Sequence, residues 1–287
     1  MLGLKEIINK INDNYSDSAI GAFNVNDMTD MHGVMNACAK LNKPLIMMVS
    51  TSAVKYFGIH FIREMYRAAK LTCPTPIFLM LDHSEDFETT VQCIANGFPI
   101  VMFDGSKLSF EENVKQTKEI VRIAHATGIL VEGEIGKLPG REENINMSEK
   151  ESALTKPKEA KVFYEETKVD LLAISFGTAH GFYKAQPKLN FDIIEKTREL
   201  TGAPLVMHGG TGIPAKDIKK AISLGVKKVN IGTELKKAYS SSMRKYSAQL
   251  KDEIDPRKIL KYSKEAIQRV VEEKLDFINT PTIEELE

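Results

Sequence analysis

The chain has 287 residues, 39 Lys plus Arg against 39 Asp plus Glu, and a formal net charge of zero. A neutral balance gives no global field to draw in nucleic acid or an anionic membrane. The N-terminal stretch MLGLKEIINKINDNY carries charges every few residues and lacks an apolar signal core, and no apolar run reaches membrane-spanning length. These features predict a cytoplasmic protein with no nucleic-acid or membrane partner. Cys38, Cys73 and Cys93 form no CxxC pair and receive no role. Without a Pro/Ser/Gly-rich connector or a fixed-period repeat, residues 1–287 read as one domain.

Short apolar runs recur along the chain, each followed by an amphipathic stretch. They are AIGAFNV (19–25), PLIMMVS (44–50), IFLMLDH (77–83), IVMFDGS (100–106), ILVEGEIG (129–136), LLAISFGT (171–178), PLVMHGG (204–210) and VKKVNIGT (226–233). Between them, SFEENVKQTKEIVRIAHATG predicts a helix opened by a Ser109/Glu112 capping box and ended by Gly128. PAKDIKKAISLG predicts another, with Pro214 at its start and Gly225 past its end. Eight such units predict an α/β (β/α)8 TIM barrel, with an additional C-terminal helical segment. A doubly wound sheet would want a GxGxxG turn after its first strand, and the chain has none.

A barrel places its chemistry at the C-terminal strand ends, and the polar residues of this chain gather there. Asn24, Ser50, Asp82, His83, Asp104, Glu132, Glu134, His180, His208, Asn230 and Thr233 all end or follow a predicted strand. Of six histidines, His32, His60 and His125 fall in helical stretches. The remaining three, His83, His180 and His208, offer the three-imidazole set of a catalytic zinc with an open fourth position. Asp104 and Glu134 read equally as alternative metal contacts or as hydrogen-bond partners of the ligands. Asp82 and His83 are neighbours, so both can enter the barrel only if the strand ends and the backbone turns there. HGGTGIPAKD and NIGTE, after the last two strands, present backbone N–H groups at helix N-termini where phosphate-handling barrels hold their anion.

FNVN, LDHS, MFDGS, VEGEIG, GTAHG, HGGTGIP, VNIGTE and DPRK occur in the order and spacing of the class II, zinc-dependent ketose-bisphosphate aldolases, which the chain resembles over nearly its whole length. The resemblance implies a lyase of glycolytic carbohydrate metabolism that cleaves a ketose 1,6-bisphosphate through a zinc-stabilised enediolate. It implies Asp82 as the acid/base at the C4 hydroxyl, His83, His180 and His208 as zinc ligands, and Asp104 and Glu134 as contacts of the metal in alternative placements. Gly181, Gly209, Gly210, Thr211, Asn230, Ile231, Gly232 and Thr233 match the cradle for dihydroxyacetone phosphate, with Asn24 and Ser50 as further substrate contacts. Gly181 also matches a site for a monovalent cation, Na+ or K+. Glu142, or its neighbour Glu143, matches the mobile-loop base that takes the C3 proton, on the long charged segment 136–157. Arg257 resembles an arginine that reaches the second phosphate from a neighbouring subunit, which implies a homodimer or homotetramer.

The sugar is less sharply marked. Fructose-type members commonly carry Asp or Asn at the position of Gly232 and tagatose-type members a small residue, and GTAHG and ALTKPKEA resemble the tagatose type. HGGTGIP and YKAQPKLNFD resemble the fructose type, which is placed ahead as the broader class. A Schiff-base aldolase would need a buried strand lysine. Lys227 and Lys228 are expected at the entrance of the last strand, on the wrong end. A non-catalytic sugar-phosphate sensor on the same scaffold would be free to lose Asp82 and Glu142.

Overall fold

The computed structural model describes residues 2–142, 145–147, 153–183 and 187–287, and the backbone alone at 140–142 and 145–147. Ten strands are named in chain order: β1 (Ile20–Asn24), β2 (Leu45–Ser50), β3 (Ile77–Ser84), β4 (Ile100–Phe103), β5 (Leu130–Ile135), β6 (Gly140–Glu142), β7 (Ile145–Met147), β8 (Leu171–Ile174), β9 (Leu205–Met207) and β10 (Val226–Ile231). Among the described residues, eight of them close into a parallel barrel of order β1-β10-β9-β8-β5-β4-β3-β2. Helices lie between successive barrel strands, which is the (β/α)8 arrangement that the eight apolar runs predict.

Period-two alternation sorts the strand residues into two cores. Ile20, Ala22, Ile46, Met48, Met80, Ile100, Met102, Leu130, Leu171, Ala173 and Val206 face inward. The N-terminal helix Leu4–Asn14 joins this inner cluster with Leu4, Ile7, Ile8 and Ile11. Phe23, Met47, Leu79, Leu81, Val101, Phe103, Val131, Leu172, Ile174, Met207, Val229 and Ile231 face outward in a second cluster with the surrounding helices. The same parity makes Asn24, Asp82, Glu132, Glu134, His208, Lys228 and Asn230 inward residues.

The helix Pro256–Ile278 packs on Met28–Leu41, where the Lys264 carbonyl oxygen lies 2.8 Å from where a Cβ on Gly33 would sit. The chain end is tied down by Thr280 Oγ1 donating to the Ala19 carbonyl at 2.8 Å and by Ile283 N–H donating to Asn42 O at 3.0 Å.

Two local expectations are refined and a third holds. Ser109 caps the helix Phe110–His125 by accepting from the Glu112 N–H, but the Glu112 carboxylate turns to Gln116 and Lys115 instead of closing the box. The segment 136–157, expected as loop, contains the antiparallel hairpin β6/β7 and a bridge between Lys137 and Ala153. Helix Ala215–Ser223 does start after Pro214, and Gly225 lies past its end with φ +126°. Among the described residues, no helix is long and apolar enough to cross a membrane.

Candidate metal centre and active site

The turn demanded of the LDHS motif is present. His83 is a non-glycine residue with φ +48°, in the left-handed region, and the register of β3 against β4 slips between Leu81 and Ser84. Parity puts Asp82 inside the barrel and would send His83 out toward the helices. The left-handed residue swings the imidazole back in, and Thr51 Oγ1 holds the bent backbone by donating to the His83 carbonyl at 3.2 Å. This is why an apolar strand ends in two adjacent polar residues that both serve one site.

His83, His180 and His208 come together from three different strand ends, with one ring nitrogen of each within 4.8 Å of the others. Centroid separations are 4.7 Å for His83 to His180, 4.4 Å for His83 to His208 and 6.0 Å for His180 to His208. His83 Nε2 and His208 Nδ1 are 2.8 Å apart. The opposite nitrogens are held by carboxylates: His83 Nδ1 lies 3.1 Å from Asp104 Oδ2, and His208 Nε2 lies 2.8 Å from Glu132 Oε1. Glu134 Oε2 is buried without a hydrogen-bond partner, 3.8 Å from His83 Nδ1, and forms a second possible metal-holding group with His83 and Asp104. Three imidazoles, two of them with carboxylates on their far nitrogens, plus one orphaned carboxylate oxygen, fit a borderline-soft divalent ion such as zinc.

Charge follows the same geometry. Burial opposes the His83 imidazolium, but Asp82, Asp104 and Glu134 outweigh it and raise its pKa. Burial and the neighbouring His83 push His208 down despite Glu132. Glu132 is lowered to about 2, because Lys228 and His208 overcome its desolvation. Burial and Asp104 raise Glu134 well above the usual carboxylate range.

Asp82 stands beside this cluster. Its Oδ2 accepts from Asn24 Nδ2 at 2.9 Å, and its Oδ1 is buried with no partner among the described residues. A small cavity is lined by Asn24, Asp82, Gly181, His208, Gly209, Thr211, Asn230, Gly232 and Thr233. Gly209 has φ +67°, and a Cβ there would lie 2.3 Å from the Ala179 carbonyl oxygen. The loops after β8 and β9 therefore touch backbone to backbone. Tyr183 clasps the same pair, accepting from Ala179 N–H at 2.7 Å and donating to Gly209 O at 2.9 Å.

Other expected residues sit apart from the cavity. Ser50 caps the helix Thr51–Phe57, accepting from the Ala53 N–H at 3.2 Å and pairing with Ser52 at 3.0 Å. The Ile231 side chain is in the outer core, and the residue does not line the cavity. Arg257 is on the exposed first turn of Pro256–Ile278, with its guanidinium on Asp255 at 2.8 Å. Glu142 ends β6 with only its backbone described, and Glu143 lies outside the described residues.

Lys228 corrects the expectation of a lysine on the wrong end. It is fully buried, with Nζ 2.8 Å from Glu132 Oε2 and 2.7 Å from Asn230 Oδ1, directly against the site residues. Lys227, by contrast, does reach the N-terminal end, donating to Tyr15 O at 2.7 Å. The sequence reading gave no role to Lys228, Glu132 or Tyr183. A charged residue at an inward strand position was the available signal for the first two, and Tyr183 carried none.

Residues 3–281 match the family model described as Fructose-bisphosphate aldolase class-II. A fructose-bisphosphate aldolase of Thermus caldophilus is 35% identical over 284 residues, covering 91% of this chain and 93% of that one. A sulfofructosephosphate aldolase of Alkalicoccus urumqiensis is 38% identical over 256 residues, covering 89% of each. The crystal structure of the YdjI aldolase from Escherichia coli K12 superposes with a TM-score of 0.84 at 28% identity, covering 98% of both chains. With a match that spans nearly the whole chain, this protein belongs to the class-II fructose-bisphosphate aldolase family, a family of metal-dependent lyases acting on sugar phosphates.

Proposed function

We propose that the chain, working as one domain in the cytoplasm, is a zinc-dependent aldolase. In glycolytic carbohydrate metabolism it would reversibly cleave fructose 1,6-bisphosphate to dihydroxyacetone phosphate and glyceraldehyde 3-phosphate. The observation that carries the reading is the convergence of three imidazole nitrogens within 4.8 Å beside Asp82, whose inner oxygen is free to meet a substrate hydroxyl. His83, His180 and His208 would hold the ion, with Asp104 and Glu134 as its alternative contacts. When bound, zinc supplies the Lewis acid that takes up negative charge on the ketose oxygens.

The chain's own residues do the rest. Backbone N–H groups of Gly209 to Thr211 and Asn230 to Thr233 would hold the first phosphate, which anchors the sugar relative to Asp82. Asp82 Oδ1 takes the proton of the C4 hydroxyl as the C3–C4 bond breaks, while Asn24 fixes Oδ2 and so keeps the reacting oxygen aimed into the cavity. Glu142 exchanges the C3 proton of dihydroxyacetone phosphate, and Gly181 contributes to a Na+ or K+ site. Arg257, exposed and paired only with Asp255 among the described residues, reaches the second phosphate of a neighbouring subunit in a homodimer or homotetramer.

Cleavage is expected to be abolished by EDTA, restored by Zn2+, and unaffected by borohydride added with substrate. A borohydride-trapped adduct would overturn the zinc reading, and a zinc-loaded protein that cleaves no phosphorylated ketose would leave a sugar-phosphate sensor. The Alkalicoccus relative supports a second substrate, a sulfofructose phosphate. Ratios of kcat/KM over this compound, fructose bisphosphate and tagatose bisphosphate decide among the three. Gly232→Asp is expected to move the ratio of the last two toward fructose, since Gly232 lines the cavity.

A further inference from the structure

We infer that Lys228 and Glu132 form a buried positioning pair that orients His208 and Asn230 for the metal and the substrate. The inference rests on the reading of His208 as a metal ligand. Both residues are fully buried, and they come from strands that are not neighbours, β10 and β5, which β9 and β8 separate in the barrel. Their side chains therefore meet across the barrel interior. Nζ of Lys228 lies 2.8 Å from Glu132 Oε2, at an angle that makes the contact an ion pair and not an aligned hydrogen bond.

Each charge holds a second group. Glu132 Oε1 takes the His208 Nε2–H at 2.8 Å, which fixes the tautomer and leaves Nδ1 as the nitrogen facing His83 Nε2. Lys228 Nζ donates to Asn230 Oδ1 at 2.7 Å, which fixes the amide so that Nδ2 lies against the His208 ring, 3.2 Å from Nδ1 and 3.4 Å from Nε2. An Asn in the opposite flip would meet the ammonium with its own NH2 group. One ion pair thus sets both a ring orientation and an amide orientation.

Stability alone does not account for the pair. Desolvating two charges inside a barrel is costly, and an apolar pair of similar volume is often as stable or more so. Met48, whose sulfur is 4.0 Å from Lys228 Nζ, shows that apolar side chains occupy the same layer.

The test compares wild type, Glu132→Gln, Lys228→Met and the double variant, all depleted of metal and then titrated. Zinc affinity is read by competition with a chromophoric chelator, ligand geometry by the d–d spectrum of bound Co2+, and stability by Tm without metal. Glu132→Gln is expected to weaken zinc binding roughly 10- to 100-fold and to alter the Co2+ spectrum. It should also lower Tm, because Lys228 is left as an unpaired buried charge. The double variant removes both charges, so its Tm should recover while zinc binding stays weak and the Co2+ spectrum stays altered. If Glu132→Gln binds zinc as wild type does, or if the double variant recovers affinity together with Tm, the pair is only structural and the inference fails. A wild-type chain that binds no zinc, or a His208→Ala variant that binds it undiminished, overturns the metal reading as well.

Discussion

Along the same eight strands the barrel interior changes from one material to another. Toward the N-terminal end, Ile20, Ile46, Ile100, Leu130 and Leu171 pack with Ile7 and Ile11 of the first helix into a dry plug. Toward the C-terminal end, the same inward parity delivers Asn24, Asp82, Asp104, Glu134 and His208, all nearly without solvent exposure. A fully buried Ile contributes on the order of 1.5–3 kcal/mol, whereas an unpaired buried carboxylate oxygen costs stability. Asp82 Oδ1 and Glu134 Oε2 are such oxygens. The apolar end holds the barrel closed, and the polar end can then keep groups in arrangements chosen for chemistry.

Substitutions at the two ends should therefore separate activity from stability. The largest expected effect is at Asp82. Asp82→Asn keeps the shape and the Asn24 contact but cannot carry a proton, so kcat for cleavage should fall by about 10² to 10⁴. Zinc content and Tm should stay near wild type, and exchange of the C3 proton of dihydroxyacetone phosphate should survive. Loss of zinc in this variant would instead place Asp82 in the support of His83. Glu142→Gln should do the reverse, losing exchange while metal and phosphate binding remain.

At the apolar end, Ile7→Ala should cost about 2–5 kcal/mol of stability in denaturant titrations. Zinc affinity should not change, and a parallel loss of both would show that the two ends are coupled. Gly209→Ala sits between these extremes. Its Cβ would meet the Ala179 carbonyl from a left-handed backbone, so a strain of about 1–3 kcal/mol should fall on the clasped loops. A rise in KM with smaller change in kcat is expected, and an unchanged KM would remove this loop from phosphate binding.

A separate, pH-dependent effect on stability is expected outside both layers, at Asp30. Burial raises its carboxyl to about 7, against hydrogen bonds from the N–H groups of Asp27 and Asn26. The folded pKa lies above the ordinary value of 3.8, so between these limits the folded state binds more protons than the unfolded state. Its contribution to stability is thus full below about pH 4 and is lost as pH rises through about 7. The Tm of wild type relative to Asp30→Asn should decline from pH 5 to pH 8, and parallel profiles would show that Asp30 does not titrate there.

How far such a site can be read from sequence depends on which residues local pattern reaches. Seven of the eight barrel strands lie within the apolar runs and β3 exceeds its run only by Ser84, because burial on both faces demands a continuous hydrophobic segment whatever its neighbours are. The strand-end polar residues were legible for the same reason, since a barrel exposes one end of each strand to the site. Strand parity also implied that Asp82 and His83 could share the site only through a turn. The turn itself is a tertiary matter, fixed by a left-handed His83 and the Thr51 contact from another strand end. Lys228 and Glu132 are 96 residues apart and lie on strands that are not neighbours, so no local pattern couples them. Tyr183 likewise gains its two partners only when the loops after β8 and β9 close on each other. Hydrophobic periodicity is a property of the chain and determines which segments become strands. Which buried charges meet, and which nitrogen of His208 is left to face His83, is decided only when barrel closure brings distant strands within hydrogen-bond reach.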